Sequence, residues 1–536
     1  MSHPEPGPVV GRRLLIKLAA AITLSLVVGS ALLALVLVLV NEPDDALANA
    51  DPGRTAETLY EWEGPIPRFT DVTELWGLAD WRNTSERNAS GGVALIDLDQ
   101  DGFLDVALAG GEPAVYFGNG GGFTLATGDL SIDAVALTVG DLDGDGRLDL
   151  VFGADGREDV IVWGGEWLNS RDIDRAEISS LASGEPTTGV LIADLTGDGL
   201  ADLLRLGYGD RRPSADVIYQ QVTPRQFVGV PLPDSERRSL AAEVAQLDDA
   251  GGLDVWVTRD VGWRDGGDSI YSRRGSIWTD IAPELGAALE IDGMGVTLAD
   301  LNGDAELDAY LSDLGENDFL EWIPESGYAP TAESGAGRIR PPGASAGLIS
   351  STWASGVADL NLDGVLDLVA VNGGFPGQAI ANKVPGTAIV DEDPPAILLG
   401  LGDGRYADVW AALGLEWHGA GRGLALGDLD GDGDVDLVIT TRDEGLTVLR
   451  NDAPSPGSFI ALESTCDGAG VEVTVETSLG NYHLLVAPHV FLGRHAPGVT
   501  VGGEVLEVRM VAADGRQFSL SSPSGSSTLI GCRDLR

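Results

Sequence analysis

DLDQDGFLD at 97–105 opens a series that the chain returns to as DLDGDGRLD at 141–149 and DLTGDGLAD at 194–202. DLNGDAELD at 300–308, DLNLDGVLD at 359–367 and DLDGDGDVD at 428–436 continue it, and QLDDAGGLD at 246–254 is a worn copy. Successive copies start 44, 53, 52, 54, 59 and 69 residues apart. A phrase repeated at such a period marks a repeat architecture.

The phrase carries a ligand pattern. Acidic or amide oxygens at positions 1, 3 and 5, a glycine at 6 and a carboxylate at 9 can wrap a hard cation. Calcium takes six to eight oxygens, and position 7 adds a backbone carbonyl. Glycine at position 6 permits the sharp turn. The first copy offers Asp97, Asp99, Asp101, the carbonyl of Phe103 and Asp105. The second offers Asp141, Asp143, Asp145, the carbonyl of Arg147 and Asp149, and the last offers Asp428, Asp430, Asp432 and Asp436. Asp194, Thr196, Asp198 and Asp202 lose one charge to a threonine. Asp300, Asn302, Asp304 and Asp308 lose one to an amide, with Ala305 in place of the glycine. Asp359, Asn361, Asp363 and Asp367 also carry an amide but keep Gly364. The worn copy retains only Asp248 and Asp254, beside Gln246 and Ala250, and is expected to be empty or weak. Several calcium ions are the expected cofactor.

An EF-hand begins the same way but needs a glutamate at position 12 and flanking helices. Position 12 here is Leu108, Phe152 or Ile439. The flanks GVALIDLD and FLDVALAG are apolar and β-branched with a rough period of two, so each loop is predicted to join two strands. About 50 residues per unit suffice for four short strands, the size of a propeller blade. A fourth element recurs as RFTDVTELWGL at 68–78, IWTDIAPELGA at 277–287 and RYADVWAALGL at 405–415. The last unit ends at LTVLRND without a fourth strand of its own. The segment Arg68–Val72 is therefore expected to complete it and close the ring.

These repeats resemble the FG-GAP and VCBS-type repeats of integrin-alpha-like propellers, over residues 67–451. The resemblance implies an all-β fold, a seven-bladed propeller with calcium loops. The tail 452–536 lacks the phrase. GAGVEVTVE, FLG, EVLEVRM and ADG in order resemble the ASPIC/UnbV domain that follows such propellers in cartilage acidic protein relatives, which implies a small C-terminal β domain. Insertions are expected at 328–347 and 371–395, which are rich in Gly and Pro.

The formal charge of −51 argues against nucleic acid as a partner. Leu18–Val40 is uncharged and long enough to span a bilayer, preceded by Arg12, Arg13 and Lys17 and followed by Glu42, Asp44 and Asp45. Residues 1–17 are read as cytoplasmic, 18–40 as a transmembrane signal anchor and 41–66 as a linker, with the bulk in the periplasm or at the cell surface. Small residues at 46–50 leave cleavage and secretion open. Cys466 and Cys532, the only cysteines, read as a disulfide or as two buried thiols.

No catalytic residues emerge. Gly343–Gly347 fits GxSxG but lies in a Gly/Pro-rich stretch rather than between a strand and a helix. His483, His489 and His495 are six apart, which is neither helical nor strand ligand spacing. Two function classes follow. One is an anchored extracytoplasmic module whose propeller face binds protein or polysaccharide. The other is a carbohydrate-active enzyme, a lyase or glycosidase, on the same scaffold. A central cleft gathering Tyr, Arg, His and carboxylates would favour the enzyme. Asn83 and Asn88 head glycosylation sequons.

Overall fold

The computed structural model describes residues 60–530 except 86, 182–185, 209–213, 249, 332–333, 338–347, 376–387, 454–457, 463–470, 487–488, 491–494, 497, 502–503, 513–515 and 522–526. Leu18–Val40, Gly343–Gly347, Cys466 and Cys532 lie outside the described residues. Among the described residues no helix is long and apolar enough to cross a membrane.

The repeats are antiparallel four-stranded sheets. In the first unit, Val93–Ile96 runs into the first loop and Asp105–Leu108 leaves it. Ala114–Gly118 and Phe123–Leu125 follow in order. Five further units repeat this order, their first strands being Ala134–Gly140, Thr187–Ala193, Ser239–Ala245, Gly295–Ala299 and Thr352–Ala358. These first strands, with Gly421–Gly427, pack side by side in chain order, and Gly421–Gly427 meets Val93–Ile96 to complete the circle. VALI, AVALTVG, TTGVLIA and SLAAEVA are buried at every position. The rough alternation expected of these strands is overridden because each is covered on both faces by neighbouring sheets.

All-β propeller architecture thus follows, with one correction to the expected seven blades. Six blades are built from consecutive strands. The last loop lies in a composite sheet of Gly421–Gly427, Asp436–Thr441 and Leu446–Asn451, whose fourth strand is Phe69–Asp71 from the other end of the propeller sequence. Phe69 pairs with Asn451, Thr70 with Arg450 and Asp71 with Leu449. This joins the two ends of the propeller sequence in one sheet.

The recurring fourth element has a local cause. Its buried aromatic, Phe69, Trp278 or Tyr406, anchors an outer strand. The acid two residues on, Asp71, Asp280 or Asp408, accepts from the backbone N–H of Thr73, Ala282 or Trp410 and starts a short turn of helix. Gly77, Gly286 and Gly414 end it at φ of 82°, 74° and 69°.

The C-terminal strands do not stand apart from the ring. Val471–Thr477, Asn481–Val486, Val505–Ala512 and Gln517–Ser521 extend the fifth unit's sheet, joined where Leu484 pairs with Ala299. His489–Val490 pairs with Glu243 and Ala242 of the fourth unit's first strand. Ala496 N–H donates to the carbonyl of Leu426, and Leu426 N–H donates to His495 Nδ1. Val473, Val475, Tyr482 and Met510 share one core with Leu301, Leu366 and Leu398 of the fifth and sixth units.

Candidate metal centres

Each loop is shaped by its own carboxylates. At position 1, Asp97 accepts from the N–H groups of Asp101 and Gly102 at 3.0 Å. Asp141, Asp194, Asp300, Asp359 and Asp428 repeat the arrangement with positions 4 to 6 of their own loops. Positions 4 and 6 are both left-handed. Gln100 and Gly102 have φ of 59° and 95°, Gly144 and Gly146 of 78° and 87°, Gly303 and Ala305 of 85° and 70°. Ala305 carries a Cβ in a conformation that costs a non-glycine residue about 1 kcal/mol.

Position 9 has a role the ligand pattern did not disclose. Asp105 Oδ2 accepts from Leu98 N–H and Oδ1 from Gly118 N–H, both at 2.8 Å. Asp149 bridges Leu142 and Gly164, Asp202 bridges Thr196 and Gln221, and Asp308 bridges Leu301 and Trp322. Asp367 and Asp436 do the same with Leu360 and Gly400, and with Leu429 and Asn451. This buried carboxylate ties the start of the loop to the third strand of its blade. The worn loop keeps Asp254 bonded to Leu247, although its position 1 has become Gln246. Burial, opposed by these bonds, pushes Asp105 to about 8, Asp149 and Asp308 to about 7, and Asp202 and Asp254 to about 6.

Among the described residues, three loops bring acidic ligand atoms together. Asp97, Asp99 and Asp101 each place one oxygen within 4.8 Å of the others, as do Asp141, Asp143 and Asp149, and Asp428, Asp430 and Asp436. Desolvation raises Asp97 and Asp141, and Asp428 reaches about 6. Two buried oxygens in these clusters, Asp99 Oδ1 and Asp430 Oδ1, have no hydrogen-bond donor. A buried carboxylate oxygen without a donor, facing other carboxylates, has the chemistry of a hard-cation ligand. At position 7, Phe103 and Arg147 donate their N–H groups to Asp101 and Asp145, which fixes the turn that would present their carbonyls.

The remaining copies differ. The amide of Asn302 donates to Asp304 at 3.3 Å, and that of Asn361 to Asp363 at 2.9 Å. Tyr482 of the C-terminal sheet donates to Asp359 Oδ2 at 2.7 Å. Asp194, Thr196 and Asp198 keep the turn, with Asp198 Oδ1 accepting from Leu200 N–H. In the worn loop Asp248 accepts from Ser272 and Arg274 instead.

A cavity of about 270 Å³ lies at the opposite ends of the first strands, lined by Val135, Thr187, Leu240, Met294 and Trp353 of five units, with Arg87, Tyr208, Asp260 and Phe375. Trp353 and Phe375 rings lie 5.0 Å apart, and Arg422 stacks on Trp353 at 4.0 Å. Tyr208 donates to Asp260 at 2.5 Å and Arg87 pairs with Asp155 at 2.5 Å. The histidines are dispersed: His483 meets Thr474 and Glu472, His495 meets Leu426, and His418 is exposed. Asn83 is buried and donates to Ser90 and Thr441, so its sequon is a structural tie.

The FG-GAP-like repeat model matches residues 97–152, the first two acidic loops and the strands between them. No curated protein matches the chain. Among solved structures, BBS1N in complex with ARL6DN is similar at 12% identity and a TM-score of 0.41, covering 73% of this chain and 99% of that one. YCF48 bound to D1 peptide is similar at 9% identity and 0.40, covering 73% and 98%. An Agrocybe aegerita protein recognising non-reducing terminal N-acetylglucosamine is similar at 14% and 0.35, covering 68% and 90%. By its own sheets the chain is a β-propeller, and it carries an FG-GAP-like repeat at residues 97–152.

Proposed function

We propose that this chain is a calcium-stabilised propeller that serves as a binding module for a protein or polysaccharide. In this reading the composite sheet is the seventh blade, Leu18–Val40 anchors the protein and the ring lies outside the cytoplasm. The tail is an ASPIC/UnbV-like element packed on the ring. The observation that carries the reading is the convergence of carboxylates in the first, second and last loops, with Asp99 Oδ1 and Asp430 Oδ1 buried and lacking a donor. These residues would hold calcium, with carbonyls at position 7 completing the oxygen set. Calcium would there act as a strut between strands, relieving repulsion among the loop carboxylates.

Among the described residues, the two ends of the ring differ. Its loop-side end carries the chain's own strands at Leu484, His489–Val490 and Ala496. The opposite mouth opens on the cavity at Trp353 and Phe375. Arg87, Tyr208 and Asp260, around a wall made by Trp353 and Phe375, suit recognition of a polar chain, sugar or peptide. The enzymatic reading draws on the Tyr208–Asp260 pair in this cavity. Glycan and protein arrays probed with the full chain in calcium and then in chelator test the proposal. Binding that Trp353→Ala abolishes supports it, whereas shortened glycan products that Asp260→Asn abolishes establish the enzyme.

A further inference from the structure

Two metal loops already hold a cation supplied by the protein. Arg171 sits between the third and fourth strands of the second unit and reaches back to the first loop. Its Nε and Nη2 lie 3.1 and 2.7 Å from Asp99 Oδ2, and Nη2 lies 3.0 Å from Asp101 Oδ2. Arg225 holds the same place in the third unit and reaches the second loop, with Nε 2.6 Å from Asp143 Oδ2 and Nη1 2.9 Å from Glu177. Each guanidinium stacks on an aromatic of the receiving blade's third strand, Phe117 at 4.7 Å and Trp163 at 4.4 Å. Both arginines have left-handed backbones, φ 51° and 64°, an unfavourable conformation for a residue with a Cβ. The position-3 aspartates they meet are 7% and 5% exposed.

We propose that Arg171 and Arg225 are resident counter-ions which latch the first and second loops to the following blade and lower the loops' affinity for calcium. The proposal rests on the calcium reading above and adds a regulation to it. The guanidinium binds one oxygen of Asp99 and leaves Oδ1 toward the loop. A divalent ion on Oδ1 then shares its carboxylate with a positive charge, and the two repel at short range in a partly desolvated site. The last loop is the built-in contrast. The corresponding connection of the first unit, Asn119–Gly122, carries no cation, and Arg450, whose charge acts on Asp430, makes its ion pair with Asp452 at 2.6 Å rather than with a loop ligand. Calcium therefore fills the last loop first, and the first two loops only at higher concentration. Filling them loosens the tie between blades that the arginines make.

The test is calcium titration of the full chain in detergent, by calorimetry and by melting temperature, for wild type, Arg171→Gln and Arg225→Gln. Expected are lower melting temperatures in chelator, a gap that closes in saturating calcium, and calcium midpoints for these loops lowered about tenfold or more. Equal melting losses in calcium and chelator with unchanged midpoints would make the arginines mere structural ties and overturn the proposal alone. No calcium response in wild type or either variant would overturn the calcium reading and the proposal with it.

Discussion

Replacing Asp105 by alanine removes the carboxylate that accepts from two buried backbone N–H groups, those of Leu98 and Gly118. Each orphaned donor costs about 1–3 kcal/mol, so the bonds together are worth about 2–6 kcal/mol. Against this stands relief of the desolvation that pushes Asp105 to about 8, which returns a few kcal/mol at neutral pH. The net loss expected for Asp105→Ala is therefore small, at most about 2 kcal/mol. Asp105→Asn keeps one acceptor, has no ionised form to desolvate, and should lose less. Both comparisons are made by urea unfolding in chelator at pH 7, where no metal contributes. A loss in chelator places position 9 in the blade's framework, whatever it also does for a cation. An Asp105→Ala protein as stable as wild type in chelator, yet less stable in calcium, would refute the bridging role and leave Asp105 a ligand alone.

Ala305→Gly relaxes the left-handed residue at φ 70° and should raise stability by about 1 kcal/mol, read as a higher urea midpoint. Asp149, Asp202, Asp308 and Asp428 have folded pKa values raised to about 6–7, so the folded state binds protons that the unfolded state releases. In chelator, stability should therefore rise as pH falls from 8 toward 5, and calcium should flatten the slope; a melting temperature that falls over that window in chelator would contradict this. Deleting residues 60–75 removes the strand paired with Leu446–Asn451 and should give soluble oligomers by light scattering; a monomer of unchanged stability would count against closure. A cysteine at Ser2 should resist an impermeant thiol reagent in intact cells while one at Asp51 reacts.

The ring was legible because its strongest signal is chemical and periodic. DLDGDG fixes two left-handed residues and an acid-capped turn, and the apolar runs before and after it can only be strands. The match of Phe69, Trp278 and Tyr406 disclosed the closing strand through the same capping acid and terminal glycine. Other features depend on contacts that no local pattern encodes. The double duty of Asp105 and Asp149 was hidden because a bridging carboxylate and a ligand occupy the same position. Arg171 and Arg225 lie 72 and 82 residues from the aspartates they meet, in turns of different sequence. Their one local signal is an arginine in a hairpin of the next repeat. The packing of Tyr482 on Asp359 spans 123 residues, and strand periodicity in the tail cannot name the sheet it joins. Asn83 matched a surface sequon, yet its amide is consumed by Ser90 and Thr441.

The most direct measurement is calcium calorimetry and melting of chelator-treated protein, wild type beside Asp430→Asn. Asp430 belongs to the last loop's cluster and carries the donor-free buried oxygen. The expected result is saturable calcium binding that raises the wild-type melting temperature, with the tightest site lost in Asp430→Asn. Absence of binding heat, with identical melting curves in calcium and chelator for both proteins, would contradict the metal loops.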